Sequence, residues 1–297
     1  MIEAYILHLL ILVCIYAILA MSLNLITGYG GMLNLGHAAF FAIGAYASTL
    51  LVMAGFPFWF GFLAAGIIAA VFGALLSIPS LRPYGHFLAI ATLAFGEIIR
   101  SILLNWTELT RGPLGIPGIP KPGLFGFVFS ELWAYFALCL AVMAVSYLVL
   151  RRVVRSNFGL ALKAIRESED VAASLGKNVS LMKAESFMVG AFFAGIAGSL
   201  FAHYITFIDP SSFTLMETIL ILLMVVLGGM GSLEGSILGA IILILLPEPL
   251  RFIDMPSAML GQLRQIIYAT LLIILVIKRP KGILGEQWFG GIVSDSA

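Results

Sequence analysis

Apolar residues in this chain come in long unbroken runs, not in alternation with polar ones. Bounded by Gly, Pro or charge, the runs cover residues 4–26, 35–53, 58–78, 87–104, 132–150, 181–204, 214–227, 233–246 and 260–277. Backbone groups in hydrocarbon must be satisfied internally, and a lipid-facing barrel strand would alternate with period two. Val, Ile and Phe show no such alternation here, so the pattern predicts an all-α, polytopic transmembrane helical bundle. At roughly 20 apolar residues per helix the count is about nine spans, within a range of eight to ten. The second, fourth, seventh and eighth runs are short or interrupted by glycine, which leaves open broken or re-entrant helices around a central pathway. Residues 1–297 read as a single transmembrane domain.

Composition sharpens this picture. Hydrophobic residues make up 61% of the chain and charged residues 10%, with a mean hydropathy of +1.10. No soluble core absorbs that much apolar surface, and little chain is left for an extramembrane catalytic domain. The net charge of +1 gives no basic excess for nucleic acid. Cys14 and Cys139, each inside an apolar run, read as buried small hydrophobes. Met1-Ile2-Glu3 lacks the basic region of a signal peptide, so the first run reads as a retained span.

Charge also sets the expected orientation. Arg151, Arg152, Arg155, Lys163, Arg166, Lys177 and Lys183 hold seven of the sixteen basic residues, and the tail at 278–297 adds Lys278, Arg279 and Lys281. Both segments are expected in the cytoplasm. Counting back five spans places Met1 outside and Arg82 inside. The outer connection, 105–130, contains Pro113, Pro117, Pro120, Pro122 and five glycines. It is expected to be rigid and irregular, either a simple connector or a lid or docking edge.

The most informative stretch lies in the cytoplasmic segment at about 151–180: Asn157-Phe-Gly-Leu-Ala-Leu-Lys-Ala-Ile-Arg-Glu-Ser-Glu-Asp-Val-Ala-Ala-Ser-Leu-Gly176. It reads as a helix that does not span, with Ala161, Leu162, Ala164, Ile165, Ala172 and Leu175 among Lys163, Arg166, Glu167, Glu169 and Asp170. Such a surface suits a helix lying along the membrane face and fitting a protein groove. Gly176 ends it.

Residues 159–176 resemble the coupling-helix region of branched-chain amino acid ABC transporter permeases, the LivM-like branch in particular. Residues 24–46, with Asn24-Leu-Ile-Thr-Gly-Tyr-Gly-Gly-Met-Leu-Asn-Leu-Gly-His37 at their start, look like that family's N-terminal signature. Residues 85–100 look like its fourth-span signature, and Gly228-Gly-Met-Gly-Ser-Leu-Glu-Gly235 extends the likeness. The resemblance implies a membrane permease subunit of an importer for branched-chain or other hydrophobic amino acids in the bacterial inner membrane. It implies as partners a second homologous permease, two cytoplasmic ATPase subunits and an external substrate-binding protein. Gly159, Lys163, Ala164, Ile165, Arg166, Glu167, Asp170 and Gly176 would then form the ATPase-coupling segment. Thr110-Arg-Gly-Pro-Leu-Gly-Ile116 departs from the family wording at Arg111 and Leu114, so urea or a short amide stays open as substrate. No Walker-type phosphate loop occurs, so ATP and Mg would be held by the partner ATPases, and no catalytic role or cofactor falls to this chain.

Polar groups at membrane depth are the remaining candidates. Glu97 and Arg100 stand three apart on one helical face, suited either to an ion pair or to an amino acid zwitterion. With Thr92 they are substrate-pathway candidates. Asn24, Asn34 and His37 flank Gly28, Gly30, Gly31 and Gly36; they cap helix ends, line the cytoplasmic mouth, or do both. His8 and His203 read as interfacial or hydrogen-bonded groups, and no zinc spacing occurs. Small residues at Gly190, Ala194, Gly198 and at Gly231, Gly235, Gly239 suggest close helix packing. Gly31-Met-Leu-Asn-Leu-Gly-His37 and Gly229-Met-Gly-Ser-Leu-Glu-Gly235 hint at an internal duplication. An ion-coupled secondary transporter using Glu97 is the competing class; the cytoplasmic helix speaks against it.

Overall fold

A computed structural model describes residues 2–78, 85–124, 127–129, 131–248, 263, 270 and 282–285. The elements are α1 (Ile2–Asn24), continued by a π-helical turn at Leu25–Tyr29, then α2 (His37–Met53), α3 (Phe58–Ser77), α4 (Gly85–Asn105) and α5 (Thr107–Thr110). After β1 (Ile116–Pro117), β2 (Gly123–Leu124) and β3 (Phe127–Val128) come α6 (Leu132–Val154), α7 (Asn157–Glu167), α8 (Glu169–Ser174), α9 (Val179–Ile205), β4 (Phe207–Ile208), α10 (Leu215–Gly228) and α11 (Leu233–Leu245).

Eight of the nine expected runs fall on these helices, but the count of about nine spans is not reproduced among the described residues. Six helical segments there are long and apolar enough to cross a membrane: Glu3–Tyr29, Phe58–Ser77, Phe87–Asn105, Leu132–Val154, Val179–Ile205 and Pro210–Gly228. His37–Met53 and Leu233–Leu245 are shorter. The ninth run, 260–277, lies outside the described residues except for positions 263 and 270, and Arg82, Lys278, Arg279 and Lys281 lie outside them too.

The reason α2 is short lies in how the chain enters it. His37, its first residue, hydrogen-bonds Ser22, which lies about two turns before the end of the α1 continuation at Tyr29. The chain therefore folds back into the bundle over residues 30–36 before α2 begins. Gly31, at φ 68°, takes the left-handed conformation that this reversal needs.

α9 forms the middle of the molecule, packed on α2 and α3, while α1 packs on α6, α9, α10 and α11. Small residues permit the approach. A Cβ on Gly195 would stand 2.5 Å from the Ala65 carbonyl oxygen, and one on Gly73 would stand 2.7 Å from that of Phe187. Gly190 and Gly198 likewise bring α9 against α1 and α2, and Gly235 and Gly239 bring α11 against α10. In lipid such contacts substitute for the hydrophobic drive. Cys14 and Cys139 are buried free thiols in this core.

The connection between α4 and α6 is fastened at several points. β1 pairs antiparallel with β4, with Ile116 opposite Ile208. His203 bonds the Pro120 carbonyl at 2.6 Å through Nδ1 and Ser48 Oγ at 3.0 Å through Nε2. Trp59 Nε1 donates to the Gly123 carbonyl at 3.1 Å. His8, nearby, bonds the Tyr204 hydroxyl at 2.6 Å.

Candidate functional site

Two helix N-termini meet inside the bundle. The Ala38 amide, in the first turn of α2, donates to Thr218 Oγ1 in the first turn of α10 at 3.0 Å. The two helices leave this point in opposite directions. α2 runs toward Ser48 and His203 beside the Pro-rich connection, and α10 runs toward the face that carries Arg151 and Lys163, here called the basic face. Their dipoles thus direct positive ends at a common region, the arrangement that suits an anionic group in a membrane interior.

A narrow cleft opens there, lined by Leu35, Ala38, Gly96, Glu97, Thr214 and Thr218 among others. Its volume is about 10 Å³, room for one water-sized group. Thr92 borders this region: its hydroxyl donates to the Ala89 carbonyl and accepts from the Leu35 amide at 3.0 Å. Glu97 carries the acidic side of the cleft and pairs with Arg100 at 3.1 Å, with the Glu97 side chain 47% and the Arg100 side chain 35% exposed. α4 packs only lightly on the rest of the bundle. The structure thus brings Thr92 and Glu97 together at the two helix N-termini, with Arg100 one turn further along α4.

Asn34 and His37 lie next to this cleft, fully buried and mutually bonded. Asn34 Oδ1 accepts from the Gly36 amide at 3.0 Å and its Nδ2 faces His37 Nδ1 at 3.3 Å. Ser22 donates its hydroxyl to the Leu19 carbonyl, so the 2.9 Å bond to His37 is donated by His37 Nε2. Both ring nitrogens are then accounted for in a neutral imidazole.

Asn24 stands apart, at the basic face. Its Nδ2 donates to the Ser232 carbonyl at 2.8 Å and Ser236 Oγ at 2.7 Å, and its Oδ1 accepts from the Gly231 amide at 2.9 Å. It is 0% exposed and holds the turn between α10 and α11 against the end of α1. Gly229 and Gly231 have φ of 120° and 82° in that turn. The Leu284 amide adds a bond to the Gly228 carbonyl at 2.8 Å.

The segment expected as one helix over 157–176 is two, broken at Ser168. That residue is extended, at φ −159° and ψ 115°, so α7 stops there and its hydroxyl caps α8 by accepting from Val171 N. Ser156 caps α7 in the same way. Gly176, at φ 77°, turns the chain toward α9. Lys183 on α9, nearly buried, pairs with Glu169 at 2.5 Å and anchors α8.

The segment has two faces. Gly159, Ala161, Leu162 and Ile165 are buried against the bundle, and Lys163 lies 5.4 Å from the Tyr29 ring centroid. Arg166 reaches furthest inward, donating to the Gly28 carbonyl in the π-helical turn of α1 and lying beside Gly31 and Gly231. Ala164, Glu167, Asp170 and Gly176 are exposed. Leu160, Val171 and Leu175 share that exposure at 62%, 59% and 73%. Leu160 and Val171 escape a reading of the sequence because apolar residues occur on both faces. Arg166 reads as surface charge there, since its two glycine turns are distant in sequence. Among the described residues no group of three His, Cys, Asp or Glu could hold a metal.

The family described as branched-chain amino acid transport system, permease component, matches residues 5–276. The high-affinity branched-chain amino acid transport system permease protein LivM of Escherichia coli K12 is 41% identical over 298 residues, covering 92% of this chain and 68% of the relative. A probable branched-chain amino acid transport permease protein LivM of Methanocaldococcus jannaschii is 24% identical over 318 residues, 92% of this chain and 91% of the relative. The high-affinity permease protein LivH of Escherichia coli K12 is 27% identical over 291 residues, with 91% of each chain covered. No solved structure matches the chain. Apolar helices long enough to span, polar groups gathered at helix ends within the bundle and a family match over nearly the whole length agree: this is an integral membrane protein of the branched-chain amino acid transport permease family.

Proposed function

We propose that this chain is one of two permease subunits of an ATP-binding-cassette importer that carries branched-chain or other hydrophobic amino acids inward. The observation that carries the reading is the Glu97–Arg100 pair, half exposed on a membrane-spanning helix beside two converging helix N-termini. Charges on a lipid-facing surface are expensive, so this face of α4 belongs against protein or water. A second permease across it would complete a pathway in which the helix N-termini meet a substrate carboxylate and Glu97 its ammonium group. Similarity to both LivM and LivH relatives supports a homologous partner subunit.

In this reading the basic face is cytoplasmic, with Met1 on the opposite side. One of the two ATPases docks on Leu160, Ala164, Glu167, Asp170, Val171 and Leu175, and an external binding protein delivers the substrate. Closure of the ATPases pushes α7 and α8, and Arg166 passes the displacement to the ends of α1 and α10. ATP and Mg are held by the ATPases.

The test is reconstitution of the complete complex in proteoliposomes with labelled leucine, isoleucine, valine and urea. Uptake of the three amino acids that requires ATP and persists without an ion gradient is the expected result. Uptake driven by an ion gradient in the absence of ATP overturns the reading, and selective uptake of urea overturns its substrate.

A further inference from the structure

α2 carries two buried hydroxyls that bond nothing. Tyr46 is 3% and Thr49 0% exposed, they stand three residues apart on one face of the helix, and neither oxygen has a hydrogen-bond partner among the described residues. Such groups cost stability, and phenylalanine and valine would fill the same space without that cost. Asp209, in the turn between β4 and α10, is the charge that acts on the Tyr46 hydroxyl. Its carboxylate accepts from the hydroxyls of Ser211 and Ser212 and from the Ser212 amide, and it has no cation partner among the described residues. A carboxylate with acceptor capacity left over, beside two hydroxyls with nothing to bond, makes a site that lacks a positively charged donor. Phe213 joins this site to the cleft near Glu97. It lines that cleft, and its ring packs on that of Tyr46 with centroids 6.1 Å apart.

We propose that Asp209, Tyr46 and Thr49 bind the ammonium group of an incoming amino acid, on the side of the bundle away from the basic face, before the substrate reaches Glu97. This site rests on the transport reading. An ammonium group carries one charge and three donors, which one carboxylate and two acceptor hydroxyls satisfy together. Phe213, buried among Phe41, Tyr46 and Phe201, is the partition between this first stop and the cleft. The unbonded hydroxyls are then retained for the substrate, at a standing cost to the fold when the site is empty.

Binding of labelled leucine to the purified complete complex, without its binding protein, and thermal unfolding of the same samples test it. Asp209→Asn is expected to weaken binding about tenfold, and Tyr46→Phe and Thr49→Val about threefold each, while Asp209→Glu keeps most of the affinity. Because the two hydroxyls bond nothing in the protein, Tyr46→Phe and Thr49→Val should unfold at the same temperature as the unaltered complex or higher, which a merely structural role would not give. Unchanged leucine binding in Asp209→Asn overturns the proposal, as does no leucine binding by the unaltered complex or earlier unfolding of both hydroxyl variants. A requirement for sodium or potassium that disappears in Asp209→Asn gives the carboxylate to a metal ion and also overturns it. ATP-dependent leucine uptake, measured alongside, separates the two readings: uptake without this binding defeats only the ammonium site, and binding without such uptake defeats only the transport reading.

Discussion

Arg166 on α7 donates a hydrogen bond to the main-chain oxygen of Gly28, and its guanidinium also lies against Gly231. One side chain from the amphipathic segment therefore touches two interhelical turns, the α1–α2 turn and the α10–α11 turn. Those turns join the helices whose N-termini form the cleft near Glu97. A displacement of α7 would, in the proposed mechanism, bear on both.

Arg166→Ala should leave ATPase subunits bound while the amino acid carried per ATP hydrolysed falls by about tenfold or more. A charged hydrogen bond of this kind contributes about 1.5–3 kcal/mol. Uptake and ATP hydrolysis measured together in proteoliposomes check it. A fall in both by the same factor would show that Arg166 acts only through assembly or stability.

Asn24→Ala strands the Gly231 amide in a buried site and removes the bonds donated to the Ser232 carbonyl and Ser236 Oγ. Each unsatisfied group costs about 1–3 kcal/mol, so a large drop in unfolding midpoint in detergent is expected. Asn24→Asp keeps the acceptor for Gly231 but loses both donated bonds, and should also be destabilised.

Gly195→Ala places a methyl group against the Ala65 carbonyl oxygen and should destabilise the α3–α9 contact by about 1–3 kcal/mol, while Gly195→Leu should prevent folding. Ala173→Leu, on the exposed side of α8, changes volume without a neighbour to strike and should shift stability by less than about 0.5 kcal/mol. Thermal unfolding followed by size-exclusion chromatography distinguishes them.

Glu97→Gln should lower amino acid uptake about tenfold or more with assembly intact, because the variant no longer offers a carboxylate to the substrate ammonium group. Arg100→Gln leaves Glu97 unpaired and should change the apparent substrate affinity. Unchanged uptake in Glu97→Gln would reduce the pair to a structural contact.

Val171→Ser and Leu175→Ser, alone and with Glu167→Lys and Asp170→Lys, should weaken ATPase association measured by co-purification. Truncating exposed apolar anchors removes more than about 1 kcal/mol each where they fill a partner's groove. Normal association in the combined variant would place the ATPase contact elsewhere.

Much of the architecture is local and so is written in the chain. Runs of apolar residues predict helices because lipid permits no other way to satisfy a linear backbone segment. Glycines at four-residue spacing predict close packing, as Gly190, Gly198, Gly235 and Gly239 show. Ser156 and Ser232 end or begin helices as short polar caps do. The break at Ser168 was not legible, since helix-compatible residues surround it and only the extended backbone there divides α7 from α8.

The candidate polar residues separate only in three dimensions. Asn24, Asn34 and His37 look alike in sequence, each beside a glycine cluster. Asn24 bonds a turn more than 200 positions away, whereas Asn34 and His37 bond each other and Ser22 at the start of α2.

The sequence by itself determined that the chain is a helical membrane protein, to which permease family it belongs, and where its non-spanning amphipathic segment lies. These follow from composition, hydrophobic runs and short contiguous motifs. Tertiary structure alone decided that α2 starts inside the bundle, that its N-terminus meets that of α10, and that Arg166 faces inward to Gly28. Each depends on contacts between segments far apart in the chain, where small residues and satisfied buried polar groups select one packing among many helical arrangements of equal hydrophobicity.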